Sequence, residues 1–152
     1  MTEFKRILLV EDDANDEVLA LAALEEANLA HEVVVVRDGQ QALDFLHRRG
    51  PHAGRPAGHP AVVLLDLKLP KVNGLEVLAQ VKRDPELRTI PIVMLTSSRE
   101  EQDLARSYGM GVNAYVVKPV SFSDFVTALK ELGIFWAVLN QPPPGTPARS
   151  GK

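Results

Sequence analysis

Short apolar runs recur along the chain at Ile7 to Val10, Glu32 to Val36, Ala61 to Asp66, Ile90 to Thr96 and Val112 to Val117. They are continuous rather than alternating, as strands are when helices cover both faces of a parallel sheet. Between them the apolar positions move to helical spacing. One helix runs from near Asp16 to about Ala27, with Asn15 or Asp13 available as its cap. Its apolar residues extend nearly all round, so part of it is expected to meet a further surface. A second helix follows Asp38-Gly39 through Ala42, Leu43, Phe45 and Leu46, and a third carries Leu75, Leu78 and Val81 up to Asp84-Pro85. Ser97-Ser98 opens a polar helix from Arg99 to Tyr108. Ser121 and Asp124 form a capping box before Phe122, Phe125, Val126, Leu129 and Leu132, and Gly133 is the stop. Strands alternating with helices predict an α/β fold: a doubly wound, five-stranded parallel sheet with five helices and right-handed crossovers.

The breaks in the pattern are as informative. Residues 50 to 60 are too rich in Gly and Pro for anything but a loop. His52 and His59 in that loop have no ligand spacing around them and are expected to be solvated rather than to hold a metal. Residues 1–133 therefore form the expected domain. Residues 134–141 (Ile-Phe-Trp-Ala-Val-Leu-Asn-Gln) are too apolar for a solvated tail, and 142–152 are expected to be disordered. Phe135, Trp136 and Leu139 suit a contact with a second subunit, because aromatic anchors are favoured at interfaces. A homodimer is expected.

Composition narrows the choices. The 152 residues can bury a core without staples, and the absence of cysteine excludes disulfides, thiolate metal sites and cysteine nucleophiles. A net charge of −3 without a basic stripe argues against direct nucleic-acid binding. The N-terminal run is too short for a signal peptide or membrane span, so a cytoplasmic location with no membrane contact is expected.

The candidate chemistry lies at the strand ends. The first strand ends in Glu11-Asp12, the third in Asp66, the fourth in Thr96 and the fifth in Lys118. A flavodoxin-like strand order, 2-1-3-4-5, makes these strands neighbours, so their end residues converge on one crevice at the carboxyl edge. The second strand, on the outside, ends in Val36-Arg37 and offers no matching group. Three carboxylates held together need a cation, and a few hard oxygen ligands suit Mg²⁺. Lys118 offsets charge and can hold an anionic group, to which the Thr96 hydroxyl can donate. The set suits transfer of a phosphoryl group onto Asp66 as nucleophile.

These residues, with Leu69-Pro70, Gly74 and Tyr115…Lys118-Pro119, resemble the receiver domain of response regulators in two-component signalling, over Lys5 to about Leu132. The resemblance implies that Asp66 accepts a phosphoryl group from a phosphohistidine of a sensor histidine kinase. It implies that Glu11 (through water), Asp12, Asp66 and the backbone carbonyl of Lys68 hold Mg²⁺. It also implies that Lys118 pairs with the phosphoryl oxygens, across a cis Lys118-Pro119 bond. Thr96 would be drawn inward and Tyr115 would follow, altering the face made by helix four, strand five and helix five. Such a protein catalyses only its own phosphorylation and dephosphorylation. The Pro70-Lys71…Gly74 wording, the long loop before the third strand and the Phe-Trp tail resemble single-domain receivers served by phytochrome-type histidine kinases.

Two departures and several alternatives remain. Glu11 stands where many receivers have Asp, and the Lys68 side chain is expected to lie over the site and influence attacking water. A haloacid-dehalogenase-type hydrolase needs a second Asp two residues after its nucleophile, where this chain has Lys68. A flavodoxin-type FMN binder needs a hydroxyl- and glycine-rich loop where this chain has Glu11-Asp12-Asp13, which repels phosphate. A phosphate-independent interaction module with the same fold, and a phosphate shuttle or sink, are the alternatives that stay open.

Overall fold

A computed structural model describes residues 7–97, 114–135 and 138. The five strands are β1 (Ile7–Val10), β2 (Val33–Val36), β3 (Val62–Asp66), β4 (Ile92–Thr96) and β5 (Ala114–Val117). All pair in parallel, in the order β2-β1-β3-β4-β5, which is the flavodoxin-like arrangement expected. The helices between them are α1 (Ala14–Glu26), α2 (Gly39–His47) and α3 (Gly74–Arg83), and a C-terminal helix spans Phe122–Glu131. The helix expected over Arg99–Tyr108 lies outside the described residues.

The pleat sorts the apolar runs into two cores. Ile7, Leu9, Leu64, Val93, Leu95 and Val116 face α1 and the C-terminal helix, where Leu24, Phe125 and Leu129 are fully buried. Leu8, Val10, Val63, Leu65 and Met94 face α2 and α3, against Leu43, Leu46, Leu78 and Val81. With β1, β3 and β4 buried at every position, these strands have no solvent face, which is why their sequences do not alternate.

Caps set the helix starts. Asp13, rather than Asn15, closes α1 by accepting from the Asp16 N–H at 2.9 Å. Asp38, Asn73 and Ser121 do the same for α2, α3 and the C-terminal helix. On α1 the apolar surplus noted in the sequence is real: Val18 and Leu19 are exposed, at 65% and 45%. The second strand begins one residue later than expected, because Ala30–Glu32 forms a single 3₁₀ turn. The Gly50–Pro60 loop is held by Arg55, which stacks over the Phe45 ring and donates to the carbonyls of Phe45, Pro56 and Gly58. His52 packs edge-on to the same ring.

One expectation is corrected here. Phe135, assigned to a subunit interface, is buried in the protomer's own core together with Val138, and Lys130 lies over its ring. The aromatic side chain joins the same apolar cluster as Phe125 and Leu129 and is covered without a partner. Trp136 and Leu139 lie outside the described residues.

Two glycines let the β3–α3 connection close on the sheet. A Cβ at Gly74 would fall 2.1 Å from the Asp66 carbonyl oxygen, and one at Gly39 would fall 1.7 Å from that of Val72. Both obstacles are backbone and cannot swing aside. Gly74→Ala is expected to destabilise the fold by about 1–3 kcal/mol or more, read as a lower midpoint in urea; an unchanged midpoint would contradict this packing.

Candidate functional site

The carboxyl edge of the sheet brings the expected residues together. Glu11 follows β1 directly and its N–H donates to the Val36 carbonyl at 3.0 Å, so its side chain is fixed at the edge and only 1% exposed. Asp66, the last residue of β3, is 3% exposed. Its Oδ1 accepts from the Lys68 N–H at 3.2 Å, and its Oδ2 accepts from Lys118 Nζ at 2.9 Å. Asp12 is exposed and marks the open side. One carboxylate oxygen from each of Glu11, Asp12 and Asp66 lies within 4.8 Å of the others, close enough for one cation to touch all three.

Lys118 is placed by β5, by its N–H bond to the Thr96 carbonyl at 2.7 Å and by a cis peptide to Pro119. Its ammonium donates to Asp66 Oδ2 and Asp16 Oδ2, each at 2.9 Å, and to Glu11 Oε1 at 3.4 Å. Burial alone would lower the pKa of this ammonium. The bonds to Asp16 and Asp66 and the charges of Asp66 and Glu11 outweigh that and hold it above the usual lysine value. Thr96 is fully buried, and its Oγ1 is the one buried side-chain oxygen or nitrogen among the described residues without a hydrogen-bond partner. A hydroxyl left in that state at a sheet edge is a donor waiting for an acceptor. Tyr115 lies half-buried on β5 beside Met94.

The pair Glu11–Asp66 shows what the cluster costs without a cation. Burial pushes the Glu11 carboxyl up to about 8; a hydrogen bond to Asp66 and the Asp66 charge push the same way, against Lys118 and the Asp13 N–H. Glu11 therefore holds a proton near neutrality, the usual outcome when carboxylates crowd a buried site.

Asp16 is the member of the site that sequence reasoning missed, having served there only as a helix start. Its position four residues past Asp12, in the first helical turn beyond β1, was the available signal, because that turn stands over the same sheet edge. The implied ligand role of the Lys68 carbonyl, and its side chain's influence on water, rest on the sequence; the backbone N–H of Lys68 is what the structure ties to Asp66.

This fold with this edge defines a class, and the chain belongs to it: residues 7–130 match the response regulator receiver domain family. It is 43% identical to the "Probable methanogenesis regulatory protein FilR2" of Methanothrix harundinacea over 90% of this chain and 86% of that one. It is 40% identical to "Response regulator Rcp1" of Synechocystis over 87% and 88%. Among solved structures, the bacteriophytochrome response regulator RtBRR superposes with a TM-score of 0.84 at 65% identity, covering 94% of this chain and 86% of that one. The phosphorylated cyanobacterial phytochrome response regulator RcpA does so with 0.70 at 40%, covering 94% and 100%. The Mn²⁺-bound form of Rcp1 gives 0.68 at 36%, covering 96% and 99%.

The raised Glu11 pKa makes a prediction about the metal-free protein. The folded state holds this proton more tightly than the unfolded state, whose glutamate keeps its ordinary value. The stability it confers is thus complete below pH 4.5 and is lost as pH rises through about 8. The Lys118 contribution is lost only above its ordinary value of 10.5, outside that window. The melting temperature of the metal-free protein is expected to fall between about pH 4.5 and 8, and Glu11→Gln is expected to flatten the fall. Equal slopes in the two proteins would contradict the assignment.

Proposed function

We propose that Asp66 is the phosphoacceptor of this receiver domain and takes its phosphoryl group from a phosphohistidine on a sensor histidine kinase. The observation that supports it most is the convergence of a buried Asp66, a lysine on its Oδ2 and an unpartnered Thr96 hydroxyl at one edge. The donor set fits a hard divalent ion, and relatives include an Mn²⁺-bound form of Rcp1. On this reading Mg²⁺ is held by Glu11 through water, Asp12, Asp66 and the Lys68 carbonyl. When bound, it supplies positive charge beside the phosphoryl oxygens.

The chain's own residues do the remainder. A carboxylate oxygen of Asp66 attacks phosphorus as the bond to the imidazole nitrogen breaks; the electron pair leaves with the imidazole, whose other ring nitrogen carries a proton, so a neutral histidine is left. Lys118, already in place, turns a donor to the transferred oxygens, and Thr96 gains the acceptor it lacks. Tyr115, one residue beyond buried Ala114 on β5, follows Thr96 inward and alters the face that β5 and the C-terminal helix would share with the helix expected over Arg99–Tyr108, which lies outside the described residues. No other substrate is turned over; phosphorylation and dephosphorylation of Asp66 are the only catalysis.

The likeness to bacteriophytochrome response regulators favours a phytochrome-type kinase as partner. Among the described residues no helix is long and apolar enough to cross a membrane, and we place the protein in the cytoplasm, away from nucleic acid. Residues 1–133 carry the receiver function; the tail expected over 142–152 lies outside the described residues. A homodimer is proposed on Trp136 and Leu139, since Phe135 belongs to the core.

Incubation with acetyl phosphate is expected to add one phosphoryl mass to the intact protein, only with Mg²⁺ present and not in Asp66→Asn. An adduct in the mutant, or none in the native protein, would refute the assignment. For the assembly, Trp136→Ser with Leu139→Ser is expected to sediment as a monomer; an unchanged dimer would refute that contact.

A further inference from the structure

Asp16 is the carboxylate that the phosphoryl chemistry does not use. Its Oδ2 lies 2.9 Å from Lys118 Nζ, the same distance as Asp66 Oδ2. The Lys118 side chain is 13% exposed, Asp66 only 4% and Asp16 30%, so the ammonium lies between a buried acceptor and a second carboxylate on the solvent side. Lysine has three N–H donors. Here they meet Asp66, Asp16 and, at 3.4 Å, Glu11.

Asp16 is well held in that position. It stands in the first turn of α1, where the helix dipole favours a negative group, and its own N–H is tied to Asp13 Oδ1. Its carboxylate therefore offsets, from the solvent side, the charge of the ammonium that also holds Asp66. An anionic donor gains the full charge of Lys118 only by drawing it away from Asp16.

We propose that Asp16 is a positioning residue that acts through Lys118: by sharing the ammonium with Asp66 it slows phosphoryl acceptance and so sets how readily the receiver is charged. The proposal rests on Asp66 being the acceptor. Asp16→Asn keeps the shape and an oxygen for Lys118 but removes the charge. It is expected to accept phosphoryl from acetyl phosphate about three- to tenfold faster than the native protein at saturating Mg²⁺, and Asp16→Glu is expected to restore the slow rate. A second readout needs neither metal nor phosphate. In the metal-free protein, the Lys118 ammonium protons seen by nitrogen-15 NMR are expected to exchange with water several-fold faster in Asp16→Asn.

A rate in Asp16→Asn equal to or below the native one overturns the proposal, as does an unchanged ammonium exchange. Failure of the underlying reading would look different. The native protein itself would take up no phosphoryl group, while Lys118 exchange would still respond to Asp16.

Discussion

Everything at the carboxyl edge of this sheet depends on one electrostatic problem. Two carboxylates, Glu11 and Asp66, are buried side by side, a third, Asp12, stands at the rim, and Lys118 faces the buried pair. Water cannot solvate the buried charges, so the fold has two ways to tolerate them. One is a proton held by Glu11, and the other is a cation. Lys118 alone is insufficient, because its single charge is divided among three acceptors. A site kept short of positive charge in this way is suited to a divalent ion, which Glu11, Asp12 and Asp66 would hold, and on the proposed function Lys118 and Thr96 would serve the phosphoryl group.

The rest of the molecule serves to hold that arrangement. Burial of β1, β3 and β4 on both faces fixes where each strand ends, and hence where Glu11, Asp66 and Thr96 stand relative to one another. The β3–α3 connection is pressed so closely to the sheet that Gly74 lies on the Asp66 carbonyl. Asp38 and Gly39 bring the start of α2 against the same connection: Gly39 donates to the Pro70 carbonyl, and Lys71 pairs with Asp38. Asp66 is thus braced from two helices, while Asp12 is exposed at the rim of the site.

Much of this was legible in the chain. Continuous apolar runs announced a parallel sheet with both faces covered, and strand-terminal Glu11, Asp66, Thr96 and Lys118 announced the edge, because a strand end is a position that sequence can locate. Asp16 was harder to see. A carboxylate in a first helical turn is ordinary for the helix itself, and only the three-dimensional approach of Lys118 gives it a second role. Phe135 was misplaced for a related reason. An aromatic beyond a helix stop suits an interface or a core equally well, and the choice turns on whether the domain's own surface has room for it. Here the cluster that holds Phe125 and Leu129 takes it in.

The most direct measurement is the chemical identity of the phosphorylated residue. After phosphorylation in the presence of Mg²⁺, borohydride reduction cleaves an acyl phosphate and leaves the alcohol, which fragment masses can locate. The account predicts homoserine at position 66 and unmodified carboxylates at 11, 12 and 16. Reduction at one of those three, or a phosphoryl group that borohydride leaves in place, would show that the acceptor is another residue and that the buried Asp66 has a different purpose.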